Sequence, residues 1–298
     1  MTGLDYDRFR LRTFLDSLAQ LGELETHADA FKLADVGRVL EGNPKAVLFR
    51  QVGTERVPLA GNVIGSRARM AHAFGVQPRE LLAEVLSRLQ NKPEFVEVAR
   101  DEAPVQQVVS TGAEADLTKL PVHLQHGYDA GPYISAAMDF AIDRATGWTN
   151  VGLRRLMLRG RQETGIDLVA PSDLRTIFLA SLGRREPLPL SIVVGGHPID
   201  YLAATLRLPV DELGLISSLR GAPLPVVKGI TNASVSRRTR NGSSRAISTP
   251  RATPNPRGLT ANSWATTAGS RPIRYFASRR SPADATRCSR PWQSAGAP

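Results

Sequence analysis

After Asn232 the chain stops reading as a sequence that can build a core. Up to that point apolar residues recur at helical and strand spacings. Over residues 233–298, Arg, Ser, Thr, Pro and Ala follow one another with no period of 2 or 3.6. Charge divides at the same place. The final stretch holds twelve Arg, no Lys and a single acid, Asp284, a net +11, whereas the first 232 residues carry 26 basic and 27 acidic groups, a net −1. The formal +10 of the chain belongs to its end, so the foldable part carries no nucleic-acid footprint in its charge.

Two readings of residues 233–298 stand. One is a disordered basic extension, as low hydrophobicity with high charge favours. The other is a reading-frame slip. Shifted by one base, with degenerate third bases chosen freely, RGLTAN at 257–262 becomes EGPYGE. In the same frame, residues 236–250 give VPADAEWVIEGYLDP and residues 284–298 give RDALFQTVAIGGAP. Loss of one base just after Asn232 produces all three. Each shifted slot admits only a few residue types, so the coherence favours the slip, and the expectation is a truncated form with an aberrant, disordered tail.

About 232 residues remain for a core, which is ample. The only cysteine, Cys288, lies beyond the break, so there is no disulfide framework and a cytoplasmic setting fits. The start is polar and acidic rather than a basic and apolar leader, and no apolar run approaches the ~18 residues of a membrane span.

Residues 5–21 read as an amphipathic helix, with Leu11, Phe14, Leu15, Leu18 and Leu21 on one face and Gly22 as its stop. Strands are expected at 46–49 and near 57–59, helix over 66–90, and a polar connector with strand character at 105–109. Beyond 115 the texture changes. Strands are expected at 133–135, 138–142, 153–158 and 190–194 between Gly-, Asp- and Pro-bearing turns, and short helices at 199–206 and 211–219. Pro171-Ser172-Asp173 reads as the entry to a helix, with Ser172 or Asp173 as its cap. The expected class is α/β (α+β). A small N-terminal α/β domain spans 1–110, an incomplete, split, barrel-like domain spans 111–232, and the tail follows.

Generic chemical signatures are absent before the break: no GxGxxG, no Walker-type loop, no GxSxG elbow and no thiol nucleophile. His123 and His126 are spaced like a metal pair but have no third ligand nearby in sequence, which favours surface or hydrogen-bonded histidines. His197 in GGHP reads as a turn or packing residue. What stands out is DLTKLPVHLQHGYDAGPYISAAM, then GWTNVGLRR, APSDLR, GGHPIDYLAA, DELGLISSLRG and APLPVVK.

In these blocks, and in LFRQVG and LAGNVIGS earlier, the chain resembles the UbiD-type decarboxylases, prenylated-flavin enzymes that include polyprenyl-hydroxybenzoate and ferulic acid decarboxylases. The resemblance covers about residues 5–232, and the shifted tail restores the next blocks, VPADAEWVIEG and EGPYGE. It implies a flavin-binding domain, prenylated FMN supplied by a flavin prenyltransferase, a divalent metal (Mn²⁺ or Mg²⁺), homo-oligomers and a small carboxylic acid as substrate. The family's metal-binding Asn matches Asn150, its catalytic Arg matches Arg155, and its metal-binding Glu matches Glu212. A frequent His ligand falls on Asp173, a departure that leaves oxygen donors only and favours a hard cation. A helix cap is the other reading of Asp173, and a surface Arg beside Arg154 the other reading of Arg155. The resemblance also lays the backbone of Val151, Gly152, Leu153, Arg154 and Arg155, and Ser172, beside the flavin, with Gly152 allowing close approach. The two glutamates of EGPYGE, one of them the proton donor, are replaced by Arg257 and Asn262, neither of which titrates as a carboxylic acid.

Three functions follow. The first is a reversible, non-oxidative carboxy-lyase for an aromatic or α,β-unsaturated acid, inactive in the form written here. The second is a non-catalytic fragment that binds flavin or a partner subunit. The weakest is a nucleic-acid-binding Arg-rich tail, disfavoured because that stretch holds no folded module and no interleaved aromatics.

Overall fold

A computed structural model describes residues 7–230, together with the backbone of four short strands between Val235 and Leu259. The chain opens with helix α1 (Leu11–Gln20), strand β1 (Leu24–Phe31), helix α2 (Leu33–Leu40) and strands β2 (Ala46–Val52) and β3 (Val57–Gly61). β1 and β2 are parallel, joined across α2, and β3 returns antiparallel to β2. Alternation along β2 decides what covers the sheet. Ala46 meets Phe14, Leu15 and Leu18 of α1, while Val47 and Phe49 meet Val36 of α2.

The expected first helix begins later than its apolar spacing suggests, after Arg10. The helix expected over 66–90 is two helices, α3 (Arg67–Phe74) and α4 (Leu81–Arg88). Gly75 breaks it, taking a left-handed φ of 75° at the α3 C-terminus, where a Cβ would be strained. β1 and α2 are additions to the expected elements, because LETHADAF mixes polar and apolar residues without alternation and buries none of them fully. The strand expected at 105–109 is instead a 3₁₀ turn at Pro104–Gln106, since proline has no N–H to give a ladder.

Strand β4 (Phe95–Glu97) precedes the central sheet, made of β5 (Tyr133–Ile142), β6 (Thr149–Leu158), β7 (Thr164–Ile166) and, after helix α5 (Asp173–Gly183), β8 (Leu190–Val194). Helices α6 (Pro198–Ala203) and α7 (Glu212–Arg220) lead to β9 (Leu224–Lys228). β9 pairs parallel with β4, and β10 (Val235–Arg237) pairs with its other edge. β11 (Ala246–Thr249) pairs with β8, giving an antiparallel sheet in the order β11-β8-β5-β6-β7. Among the described residues this sheet stays open rather than closing into a barrel, with the three-residue β7 at one edge. Apart from those backbone ladders, the expected disorder of 233–298 lies outside the described residues.

The two faces of the central sheet bury different things. Met138, Phe140, Val151 and Val193 pack on Ile199, Ile216 and Leu219 of α6 and α7 and on Ala71 and Phe74 of α3, so one core runs on from the first unit. Ala137, Ala141, Leu156 and Ile192 pack on Leu174, Ile177 and Phe178 of α5. Among the described residues no helix is long and apolar enough to cross a membrane.

Candidate functional site

Strand alternation sorts the residues of TNVGLRR. Asn150, Gly152 and Arg154 share one face of β6, while Val151, Leu153 and Arg155 share the other. α7 runs against β6, its N-terminus capped by Asp211, which accepts from Leu213 N at 2.9 Å. That delivers Glu212, only 7% exposed, to the strand. Glu212 Oε2 accepts from Asn150 Nδ2 and from the backbone N–H of Val151, both at 2.6 Å. Asn150 thereby turns its amide oxygen, Oδ1, away from Glu212; that oxygen is buried and has no hydrogen-bond partner. Burial pushes the Glu212 carboxyl up; the Val151 and Asn150 hydrogen bonds oppose this, and the charges of Asp173 and Asp139 add to it.

At the start of α5, Ser172 is the cap: its Oγ accepts from Arg175 N at 3.3 Å. The sequence leaves the cap open between Ser172 and Asp173. With Ser172 engaged, the exposed Asp173 carboxylate, in the first turn, is left free for another role. Among the described residues no three His, Cys, Asp or Glu side chains converge as a metal cluster. The candidate donors are two carboxylates, Asp173 and Glu212, the latter raised in part by the charge of the former, and the orphaned oxygen of Asn150. An all-oxygen set with one amide suits Mg²⁺ or Mn²⁺ better than a thiophilic metal.

Gly152 has a neighbour that the sequence does not reveal. It lies opposite Asp139 of β5, and a Cβ at Gly152 would sit 3.0 Å from Asp139 Oδ1. On this face of the strand the glycine makes room for a carboxylate. Asp139 is fully buried, its Oδ1 is 3.4 Å from Arg154 Nε, and neither carboxylate oxygen has a hydrogen-bond partner in another residue. Burial pushes its carboxyl up from 3.8 to about 6, against the attraction of Arg154. A carboxyl whose folded pKa is raised stabilises the fold most below its unfolded pKa, and that contribution is lost as pH rises through the folded value. Here the window runs from about 4 to about 6, and the loss is about 3 kcal/mol. Asp139→Asn is expected to gain on the parent by that order in urea unfolding as pH is raised across this window. A difference between the two proteins that does not vary with pH contradicts it.

Arg155 is not joined to these residues. It is exposed, on the other face of β6, with its guanidinium 5.5 Å from the centre of the Tyr133 ring. Tyr133 and Leu153 line a cleft of about 1190 Å³ between the central sheet and Leu11, Leu15 and Leu59 of the first unit. His123 and His126 also line it, and burial holds the His123 imidazole below its usual pKa. His197 is a structural residue, as expected: it caps α6 in a reciprocal pairing with Asp200 and packs edge-on against Phe9 and Phe14.

A second pair also escapes a reading of the sequence. Arg220 donates through Nε and Nη2 to the two Asp200 oxygens at 2.7 and 3.1 Å, both side chains being buried, and its guanidinium lies 4.5 Å from the Phe9 ring centre. This fixes α7, and hence Glu212, against α6. The signal for both missed acids is the same, a lone Asp inside an apolar run (AAMDFAI, HPIDYLA).

The geometry has counterparts in known proteins. A family model described as the 3-octaprenyl-4-hydroxybenzoate carboxy-lyase N-terminal domain matches residues 19–89. Another, described as the Rift-related domain of the same carboxy-lyase, matches residues 96–238. The chain is similar to anhydromevalonate phosphate decarboxylase of Methanosarcina mazei, with 30% identity over 72% of this chain and 49% of that protein. It is also similar to pyrrole-2-carboxylic acid decarboxylase of Pseudomonas aeruginosa, with 28% identity over 74% of this chain and 49% of that protein. Among solved structures, an evolved dimeric form of the UbiD-class enzyme HmfF from Pelotomaculum thermopropionicum, in complex with prFMN, superposes with a TM-score of 0.76. Identity there is 27%, over 89% of this chain and 66% of that one. The chain spans about half the length of the curated relatives it matches.

Proposed function

The chain belongs to the UbiD family of carboxy-lyases, and from that premise we propose that its folded part is the cofactor-holding portion of a reversible, non-oxidative decarboxylase. The substrate is an aromatic or α,β-unsaturated carboxylic acid. The observation that carries this reading is the Glu212 carboxylate, held by Asn150 and Val151 beside the orphaned, buried oxygen of Asn150. The decarboxylase relatives support the reaction class, and the prFMN complex of a similar structure supports the cofactor.

Asn150, Asp173 and Glu212 would hold a divalent cation, Mn²⁺ or Mg²⁺, whose charge lets a flavin phosphate be buried beside carboxylates. Bound prenylated FMN supplies an electron sink for the loss of CO₂. The β6 backbone from Val151 through Gly152, Leu153 and Arg154 to Arg155, with the α5 start at Ser172, would hold the flavin. Arg155 pairs with the substrate carboxylate, for which a guanidinium offers two parallel donors. Supply by a flavin prenyltransferase, self-association and a cytoplasmic setting complete the reading, the dimeric relative supporting self-association.

The binding half of this reading is tested by Mn²⁺ titration of the full chain, followed by electron paramagnetic resonance with and without FMN. Glu212→Gln keeps the size of the side chain and removes its charge, so Mn²⁺ affinity is expected to fall at least about tenfold, with flavin retention falling alongside. Unchanged affinity would remove the metal centre from the account. The alternative, a non-catalytic fragment that binds flavin or a partner subunit, is favoured by Arg257 and Asn262 in the slots of the two glutamates. It shares this site and differs only in turnover.

A further inference from the structure

The Asp139–Arg154 pair has no part in the chemistry above, yet it lies on the same face of the sheet as Asn150, one of the metal candidates. The opposed pairs Ala141–Asn150, Asp139–Gly152 and Ala137–Arg154 alternate onto that face. A strand advances about 3.3 Å per residue, which puts the level of Asp139 roughly 7 Å along β6 from Asn150. Asp139 acts through space on the Glu212 carboxyl, as Asp173 does. Its side chain is 0% exposed and Arg154 is 20% exposed, at 3.4 Å and without a hydrogen bond between them. A buried pair with such poor geometry gives the fold little that apolar residues of similar size would not.

The order along β6 suggests what the pair does give. Asn150 comes first, then Gly152 with the Asp139 carboxylate against it, then Arg154, then Arg155. Both ends of the pair meet over Gly152: a Cβ there would lie 3.0 Å from Asp139 Oδ1 and 3.4 Å from Arg154 Nη2, so the guanidinium reaches back along β6 to the carboxylate rather than forward to Arg155. We propose that Asp139 and Arg154 are a charge-balancing positioning pair for the cation centre of Asn150, Asp173 and Glu212. Asp139 cancels at that centre the repulsion that the neighbouring Arg154 guanidinium exerts on a divalent cation. The inference rests on the reading of that centre given above.

Charge and structure make different demands on a double variant. Asp139→Asn leaves the Arg154 charge uncancelled beside the cation, so Mn²⁺ affinity of the full chain at pH about 8 is expected to fall on the order of tenfold or more. Adding Arg154→Met to Asp139→Asn removes both charges and restores the net charge of the parent, so affinity is expected to return to within about threefold of it. A pair with only a structural role predicts changes in stability and no loss of Mn²⁺ affinity in an Asp139→Asn protein that is folded. Circular dichroism in the aromatic region checks folding. If Asp139→Asn does not fold, the double variant decides alone, parent-like affinity supporting the pair and a loss of about tenfold overturning it. Glu212→Gln is run beside them. If it leaves Mn²⁺ affinity unchanged, the cation centre itself is wrong. If it weakens binding while Asp139→Asn does not, or while the double variant stays weak, the charge-balancing pair is overturned and the centre survives.

Discussion

Supplied with prenylated FMN and Mn²⁺, the chain as it stands is expected to release no CO₂ from any aromatic or unsaturated acid. A version returned to the shifted frame after Asn232, and extended to the length of its relatives, is expected to do so. The reasoning starts from two slots. Where the shifted frame reads EGPYGE, the chain carries Arg257 and Asn262 at the positions of the two glutamates. Arginine stays protonated and an amide does not titrate near neutral pH, so neither side chain can deliver and recover a proton. Loss of a general acid alone costs about 10²–10⁴-fold in rate. The shifted blocks on either side of EGPYGE are changed as well, so the deficit should exceed that range. Carbon dioxide release from a panel of acids, measured on both proteins, decides it. Turnover by the chain as written would end the account of its inactivity, and DNA that does not encode VPADAEWVIEG and EGPYGE one base away would end the frame-slip account.

Elements whose faces are buried asymmetrically are legible in the amino-acid order itself. α1 shows through Phe14, Leu15 and Leu18, α5 through LRTIFLASLG, and β8 through its apolar run, because each buries one stripe or is buried on both sides. β1 is not legible: its ladder to β2 is made by backbone, which leaves no trace in LETHADAF. The site divides in the same way. Asn150 and Glu212 stand out by their motif blocks, and they do meet, at 2.6 Å. Asp139 and Arg154 lie fifteen positions apart in sequence, and only the β5–β6 register brings them together. A single sequence contains no register. For the same reason the carboxylate that fills the space beside the Gly152 Cα cannot be read from the sequence.

In the frame-restored protein, Arg155→Ala is expected to abolish measurable decarboxylation while leaving Mn²⁺ and flavin bound. Its surroundings argue for this separation. Arg155 lies on the opposite face of β6 from Asn150 and makes none of the hydrogen bonds that hold Glu212. Its neighbour is the Tyr133 ring, 5.5 Å from the guanidinium, at the edge of the large cleft. It is exposed, so its removal leaves no buried cavity and the fold should lose well under about 1 kcal/mol. The substrate carboxylate, by contrast, would lose a two-pronged, charge-assisted partner, and a misplaced acid forfeits the alignment that intramolecular reaction depends on. Asp173→Ala should show the reverse pattern, with weaker Mn²⁺ and flavin retention and turnover that recovers when both are supplied in excess. Arg155→Lys separates charge from geometry: a single ammonium keeps the charge without the fork, so it should restore part of the activity at most. Measuring CO₂ release and Mn²⁺ affinity on all three variants tests the division of labour. An Arg155→Ala protein that turns over like its parent, or that fails because its metal is gone, would show that Arg155 does not hold the substrate.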